Sequence, residues 1–190
     1  MEFYNGDISN GEIEIQSTEK KYGTPYFDFY QDKVIFPNEQ KGEYTRIEPR
    51  SEGVAILPIN SDGQIVLIRS FRHAIRSFSI EVPRGFMNKA ESPAQAAMRE
   101  LKEEINVSAA DFIYMGSTHP ENSIMNSQVH QYFAHNIIWN SSNENHSDGG
   151  AIDTTLFITK EDFNKMILNH EINDAYTLGL YAKAIAFGYL

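Results

Sequence analysis

The 190-residue chain contains no cysteine. That excludes a disulfide framework, a thiol nucleophile and any zinc site built on thiolates, and it fits a reducing cytoplasm. Long apolar runs are also missing. None approaches the roughly 20 residues that a membrane-spanning helix needs, and the opening MEFYNGDISNGEIEIQ has neither the positive leader nor the apolar stretch of a secretory signal. No membrane partner is expected. Positive charge is scarce, with 16 Lys and Arg against 26 Asp and Glu and a formal net charge of −10. A surface of that sign repels a phosphate backbone, so nucleic acid is not an expected partner either. What is present, 41% hydrophobic and 12% aromatic residues, is enough for a sizeable core in one domain plus a small appendage.

Most of the chain reads as short strands. GEIEIQ, YFDFYQDKVIFP and EYTRIE alternate or carry β-branched and aromatic residues. GVAILPI and QIVLIRSF are joined by Asn60-Ser61-Asp62-Gly63, which predicts a hairpin because Asp-Gly tolerates the positive φ of a tight turn. FSIEV, FIYMG, VHQYFAHNIIW and TLFIT follow. Residues 140–150 form a loop of turn-forming residues, EDFNKMILN a helix opened by Thr159 or Lys160, and DAYTLGLYAKAIAFGYL a last apolar helix. Many antiparallel strands with inserted helices give the α+β class.

The helix over 93–105 is the best marked. Ser92 is its expected N-cap, Pro93 suits the first helical position, and Gln95 completes a capping box. Met98, Leu101 and Ile105 are expected to face the core, and Asn106 to end the helix in a left-handed conformation. Glu100, Glu103 and Glu104 fall on adjoining turns. Acids that close repel one another, and an oxygen-only set suits Mg²⁺ or Mn²⁺, which in turn suits work on a diphosphate.

The 85–107 segment resembles the Nudix box: Gly, five residues, Glu, seven residues, Arg-Glu, an aliphatic residue, one residue, Glu-Glu, one residue, Gly, an aliphatic residue. Gly85, Glu91, Arg99, Glu100, Leu101, Glu103, Glu104 and Val107 match it, and only Asn106 departs. With each charged type at about 6%, a chance match with one mismatch is on the order of one in a hundred thousand. The flanks, LIRSFRHAIRSFSIEVPRGF and HEINDAYTLGLYAKA, are similar to those of the ADP-ribose pyrophosphatase-like subfamily.

The resemblance implies a Nudix α/β/α sandwich with a mixed central sheet over residues 49–190, preceded by a small antiparallel sheet in residues 1–48 that serves a homodimer. It implies Glu100 and Glu104 as main metal ligands, Glu103 beside them, and a backbone carbonyl of Arg84 or Gly85 facing the metal. Gly85, Glu91 and Arg99 brace the box. Arg72 is the candidate for the diphosphate or ribose. Glu81 either binds base or sugar or sits in a structural ion pair. Arg84, where a small residue is commoner in the subfamily, either reaches a phosphate or points to solvent. The general base is expected from the 140–153 loop, with Glu144 ahead of Asp148 and Asp153, and Glu103 as the substitute. The implied activity is Mg²⁺-dependent hydrolysis of a nucleoside diphosphate linked to a moiety X, with ADP-ribose, giving AMP and ribose 5-phosphate, the leading small-molecule substrate. A nucleotide-sugar hydrolase is the runner-up, and a non-catalytic nucleotide-binding domain the rival from another class.

Overall fold

The computed structural model describes residues 12–140 and 150–190. They divide into two units, one within Met1–Ser51 plus Glu121–Ser127, the other Glu52–Pro120 plus Gln128–Leu190.

In the first unit β1 (Glu14–Gly23), β2 (Phe27–Ile35) and β3 (Lys41–Pro49) form an antiparallel sheet in that order. The sequence suggests a first strand ending near Gln16, but β1 runs on through polar TEKKYG. That stretch is exposed on an edge strand, where charged side chains deter pairing with other chains. Asp32 and Val34 of β2 are buried, and Arg46 from β3 reaches Asp32 and Glu48 while lying over the Tyr30 ring.

The second unit contains β4 (Gly53–Pro58), β5 (Ile65–Arg72), β6 (Ser77–Glu81), β7 (Arg84–Phe86), α1 (Pro93–Ile105), β8 (Val107–Thr118), β9 (Val129–Trp139), β10 (Ile152–Ile158), α2 (Lys160–Leu168) and α3 (Ala175–Ala186). One sheet is mixed, in the order β7-β4-β9-β8 with β4 and β9 parallel; the other is antiparallel, β10-β5-β6. Alternation along the strands splits the core in two. Val54, Ile56, Val66 and Ile68 pack with Leu101 and Ile105 of α1. Ala55, Leu57, Ile65 and Leu67 pack with Phe163 of α2 and Leu180 of α3. Each such buried side chain contributes about 1.5–3 kcal/mol, and the sheets end up between helices on both faces.

Two expectations are corrected here. The Asn60–Gly63 turn forms, with Gly63 at φ 74° and the Asn60 side chain accepting from Asp62 and Gln64. Its strands do not make an extended hairpin, however. They share only an Ile59–Ile65 bridge and then enter different sheets. Both are apolar on both faces, and such strands settle between two neighbours. Met98, expected in the core, is 51% exposed. At about 100° per residue the buried arc of α1 centres between Ala97 and Glu104, which leaves Met98 just past its rim. Among the described residues no helix is long and apolar enough to cross a membrane.

Candidate active site

The start of α1 folds locally. The Ser92 side chain accepts from the Gln95 backbone and Gln95 answers to the Ser92 N–H, so the capping box is complete, with Pro93 at the first position. Ahead of it, the Glu91 carboxylate accepts from the Asn88 N–H at 2.9 Å, which closes the loop. At the other end Asn106 is left-handed at φ 53°, and its N–H bonds the Leu101 and Lys102 carbonyls. The sequence predicts the capping box, Pro93 at the first helical position and the left-handed Asn106, and the structure adds the Glu91–Asn88 bond.

Two of the box glutamates occupy core-facing positions: Glu100 is 8% exposed and Glu104 is 4% exposed. The third, Glu103, has a side chain 38% exposed. Glu100 lies against Gly85, where a Cβ would overlap its carboxylate. Glu104 accepts the Arg84 N–H at 3.0 Å. Because β7 is the edge of its sheet, that amide is available to a side chain. Both acids thus close on the Arg84–Gly85 dipeptide.

Arg99 binds the acids together. Its Nε and Nη2 donate to Glu91, its Nη1 to Glu100 at 2.7 Å and Glu103 at 2.8 Å, and its Nη2 also to the Phe86 carbonyl. The Glu91 bond, ahead of the other two, holds Arg99 more firmly protonated than usual. Arg99 in turn holds Glu91 below the ordinary carboxylate range. Burial pushes Glu100 up, against the pull of Arg99.

A second cluster adjoins the first through Arg84. Glu81, fully buried, accepts from Arg72 on Oε1 and from Arg84 on Oε2. Arg84 also reaches Asp174 at 3.5 Å and stacks on the Tyr176 ring at 4.4 Å. Asp174 caps α3 by accepting from the Thr177 N–H and hydroxyl, and the Thr177 hydroxyl accepts the Val82 N–H. The structure therefore brings together Arg72, Glu81, Arg84, Gly85, Glu91, Arg99, Glu100, Glu103 and Glu104. Both oxygens of Glu81 are taken by guanidiniums, which is the ion-pair alternative for that residue. Asp174 and Tyr176 escape sequence reasoning as site residues. The one signal is the resemblance of HEINDAYTLGLYAKA to the subfamily's last helix, in which Asp174 proves to be the N-cap.

Glu144 and Asp148 lie outside the described residues. Asp153 sits in β10, ion-paired with Arg69. Among the described residues no three acidic or histidine side chains already converge as a metal cage, since Arg99 takes an oxygen each of Glu100 and Glu103. The set nonetheless fits a divalent cation. Its donors are all oxygens, and Gly85 leaves open the cradle in which a carboxylate meets the backbone.

Residues 49–178 match the NUDIX domain family. The ADP-ribose pyrophosphatase of Bacillus subtilis is 24% identical over 159 residues, covering 84% of this chain and 85% of that protein. The ADP compounds hydrolase NudE of Escherichia coli is 35% identical over 81 residues, 42% of this chain and 43% of that one. A crystal structure of ADP compounds hydrolase superposes with a TM-score of 0.83 over 94% of this chain and 95% of its own, at 20% identity, which shows the shared fold. The family match spans most of the chain, and the chain belongs to the NUDIX domain family as one of its hydrolases.

Proposed function

We propose that the protein is a divalent-metal-dependent pyrophosphohydrolase of nucleoside diphosphates linked to a moiety X, with ADP-ribose, cleaved to AMP and ribose 5-phosphate, as the leading substrate. The observation that carries the reading is the closure of buried Glu100 and Glu104 on the Arg84–Gly85 edge, next to a pair of arginines. Glu100, Glu104, Glu103 and the Arg84 carbonyl are the groups assigned to Mg²⁺ or Mn²⁺. Such a cation, when bound, neutralises diphosphate oxygens and acidifies a water. Glu144, or failing it Glu103, is the carboxylate assigned to take the proton of the attacking water. Arg72 bonds a phosphate oxygen and stabilises charge as the leaving phosphate departs. Glu91 and Arg99 hold the box in shape. The names of the relatives, an ADP-ribose pyrophosphatase and an ADP compounds hydrolase, favour an ADP-linked compound.

The protein is also assigned to the cytoplasm, which the absence of cysteine fits, and to a homodimer through the N-terminal sheet. A small sheet needs a covered hydrophobic face to be stable, and Val34 is the one buried hydrophobic residue among the described residues of β1–β3, which supports a partner copy. Light scattering at micromolar concentration is expected to give twice the 21.6 kDa chain mass; a monomer mass overturns the dimer.

The test of activity is incubation with Mg²⁺ and a panel of ADP-linked and other nucleotide-linked compounds, with assay of released monophosphate. ADP-ribose is expected to be cleaved fastest. A faster nucleotide sugar would move the assignment to nucleotide-sugar hydrolysis, and release from no compound would leave a binding domain.

A further inference from the structure

The cluster around Arg84 buries its anions and exposes its cations. Side-chain exposure is 31% at Arg72 and 24% at Arg84, against 0% at Glu81 and 10% at Asp174. Two positive and two negative charges balance in number, but the guanidiniums are what solvent meets. On a chain of net charge −10, an outward cationic pair is set against the background.

Arg84 is held from several sides. Its Nη2 donates to Glu81 and Asp174, its guanidinium stacks on Tyr176, and its backbone N–H is fixed on Glu104. A guanidinium carries five N–H donors in a rigid fork. The Nε of Arg84 is buried with no acceptor, and its Nη1 bonds no described residue. Nε is out of solvent's reach, so Nη1 is the nitrogen left for an anionic oxygen, which would meet it with a charge-assisted bond. Arg72 shares the Glu81 carboxylate, so the two guanidiniums lie no more than one carboxylate apart, and Arg84 also gives its backbone N–H to the metal-assigned Glu104.

We propose that Arg72 and Arg84 form one two-guanidinium cradle for the diphosphate of the substrate, and that Asp174 and Tyr176 are positioning residues that aim Arg84 into it. This deepens the pyrophosphohydrolase reading and rests on it for the choice of substrate. Glu81 and Asp174 lie beneath and set the two forks, and the Tyr176 ring keeps Arg84 from swinging out.

Two measurements test the cradle. The first is binding of ADP, with adenosine as the control, by calorimetry in metal-free buffer with chelator. R84A is expected to weaken ADP about tenfold and leave adenosine unchanged, the loss of one charge-assisted contact, and R84K to fall between. The second is steady-state kinetics on ADP-ribose. D174N keeps a good helix cap and Y176F keeps the ring, so folding is preserved in both. D174N and Y176A are expected to raise KM severalfold with kcat within about twofold, while Y176F stays near wild type. Unchanged ADP binding in R84A, or equal losses for ADP and adenosine, overturns the cradle. A Y176F variant as impaired as Y176A, or a fall in kcat alone, overturns the positioning role. If ADP-ribose is not cleaved, the hydrolase reading fails by itself. The same D174N, Y176A and Y176F variants are then read by ADP binding in metal-free buffer, with the same order expected.

Discussion

The carboxylate of Glu100 occupies the space where a side chain on Gly85 would begin. Gly85 is not in a left-handed conformation, so the demand for glycine is one of room. Gly85→Ala is therefore expected to displace Glu100 while the backbone stays as it is. Overpacking of this kind costs about 1–3 kcal/mol, and the displaced carboxylate no longer reaches the site assigned to the metal. A thermal melt would show the first effect and a Mg²⁺ titration of activity the second, with the midpoint moved to higher concentration. An unchanged midpoint would mean that Glu100 does not hold the cation.

Arg99 pairs with three carboxylates and ties them to the Phe86 carbonyl. Arg99→Met keeps the aliphatic stem and removes the charge. Breaking one side of a buried ion pair costs about 3–5 kcal/mol, but Glu91 and Glu103 have other access to solvent or backbone, so about 2–3 kcal/mol is the expected loss. The variant also leaves Glu91, Glu100 and Glu103 repelling one another. Added Mg²⁺ should accordingly raise the melting temperature of Arg99→Met more than that of the wild type. Equal shifts would show that the acids do not share the ion.

Glu91 gives a pH dependence with a defined sign. Its hydrogen bond from Arg99 holds the carboxyl below its ordinary value of 4.5. A folded-state value depressed in this way contributes stability that is fully present above 4.5 and is lost as pH falls through the lowered value. Glu91→Gln should therefore be less stable than wild type at neutral pH, with the gap closing below pH 4.5. Urea midpoints from neutral to acid pH, in chelator, check this. A gap that stays constant with pH would assign the effect to packing.

The box was legible because its signals are local. Ser92, Gln95 and Asn106 act within a turn of α1, and the glutamates follow helical spacing, so sequence distance maps directly onto space. The Met98 expectation failed because periodicity alone does not say where the buried arc is centred. Here Glu100 and Glu104, which sequence reasoning places on a neighbouring polar face, take its middle. The divergence of β4 and β5 was hidden for a related reason: the turn residues dictate the turn, while partners from distant strands choose the sheet. The contacts from Arg84 to Asp174 and Tyr176 join positions some 90 residues apart. No periodicity carries such a contact. Arg84 showed itself only as a large residue where the resembling subfamily favours a small one.

Glu104 separates metal chemistry from architecture. Its Oε2 accepts the Arg84 N–H at 3.0 Å, and the residue is almost fully buried. Glutamine is nearly isosteric and its carbonyl oxygen accepts the same bond, so Glu104→Gln should melt within about 1 kcal/mol of wild type. What it cannot supply is the negative charge a hard cation requires. Loss of a group that only supports a metal ligand costs about 10–100-fold, so loss of a ligand itself should reduce Mg²⁺-dependent turnover at least about a hundredfold. Glu103→Gln tests the neighbouring role. As a proton acceptor Glu103 would show a collapsed kcat at an unchanged Mg²⁺ midpoint, and as a ligand it would show a shifted midpoint. Near-wild-type turnover in Glu104→Gln would remove the metal assignment from α1, because no other described pair of carboxylates closes on the Arg84–Gly85 edge.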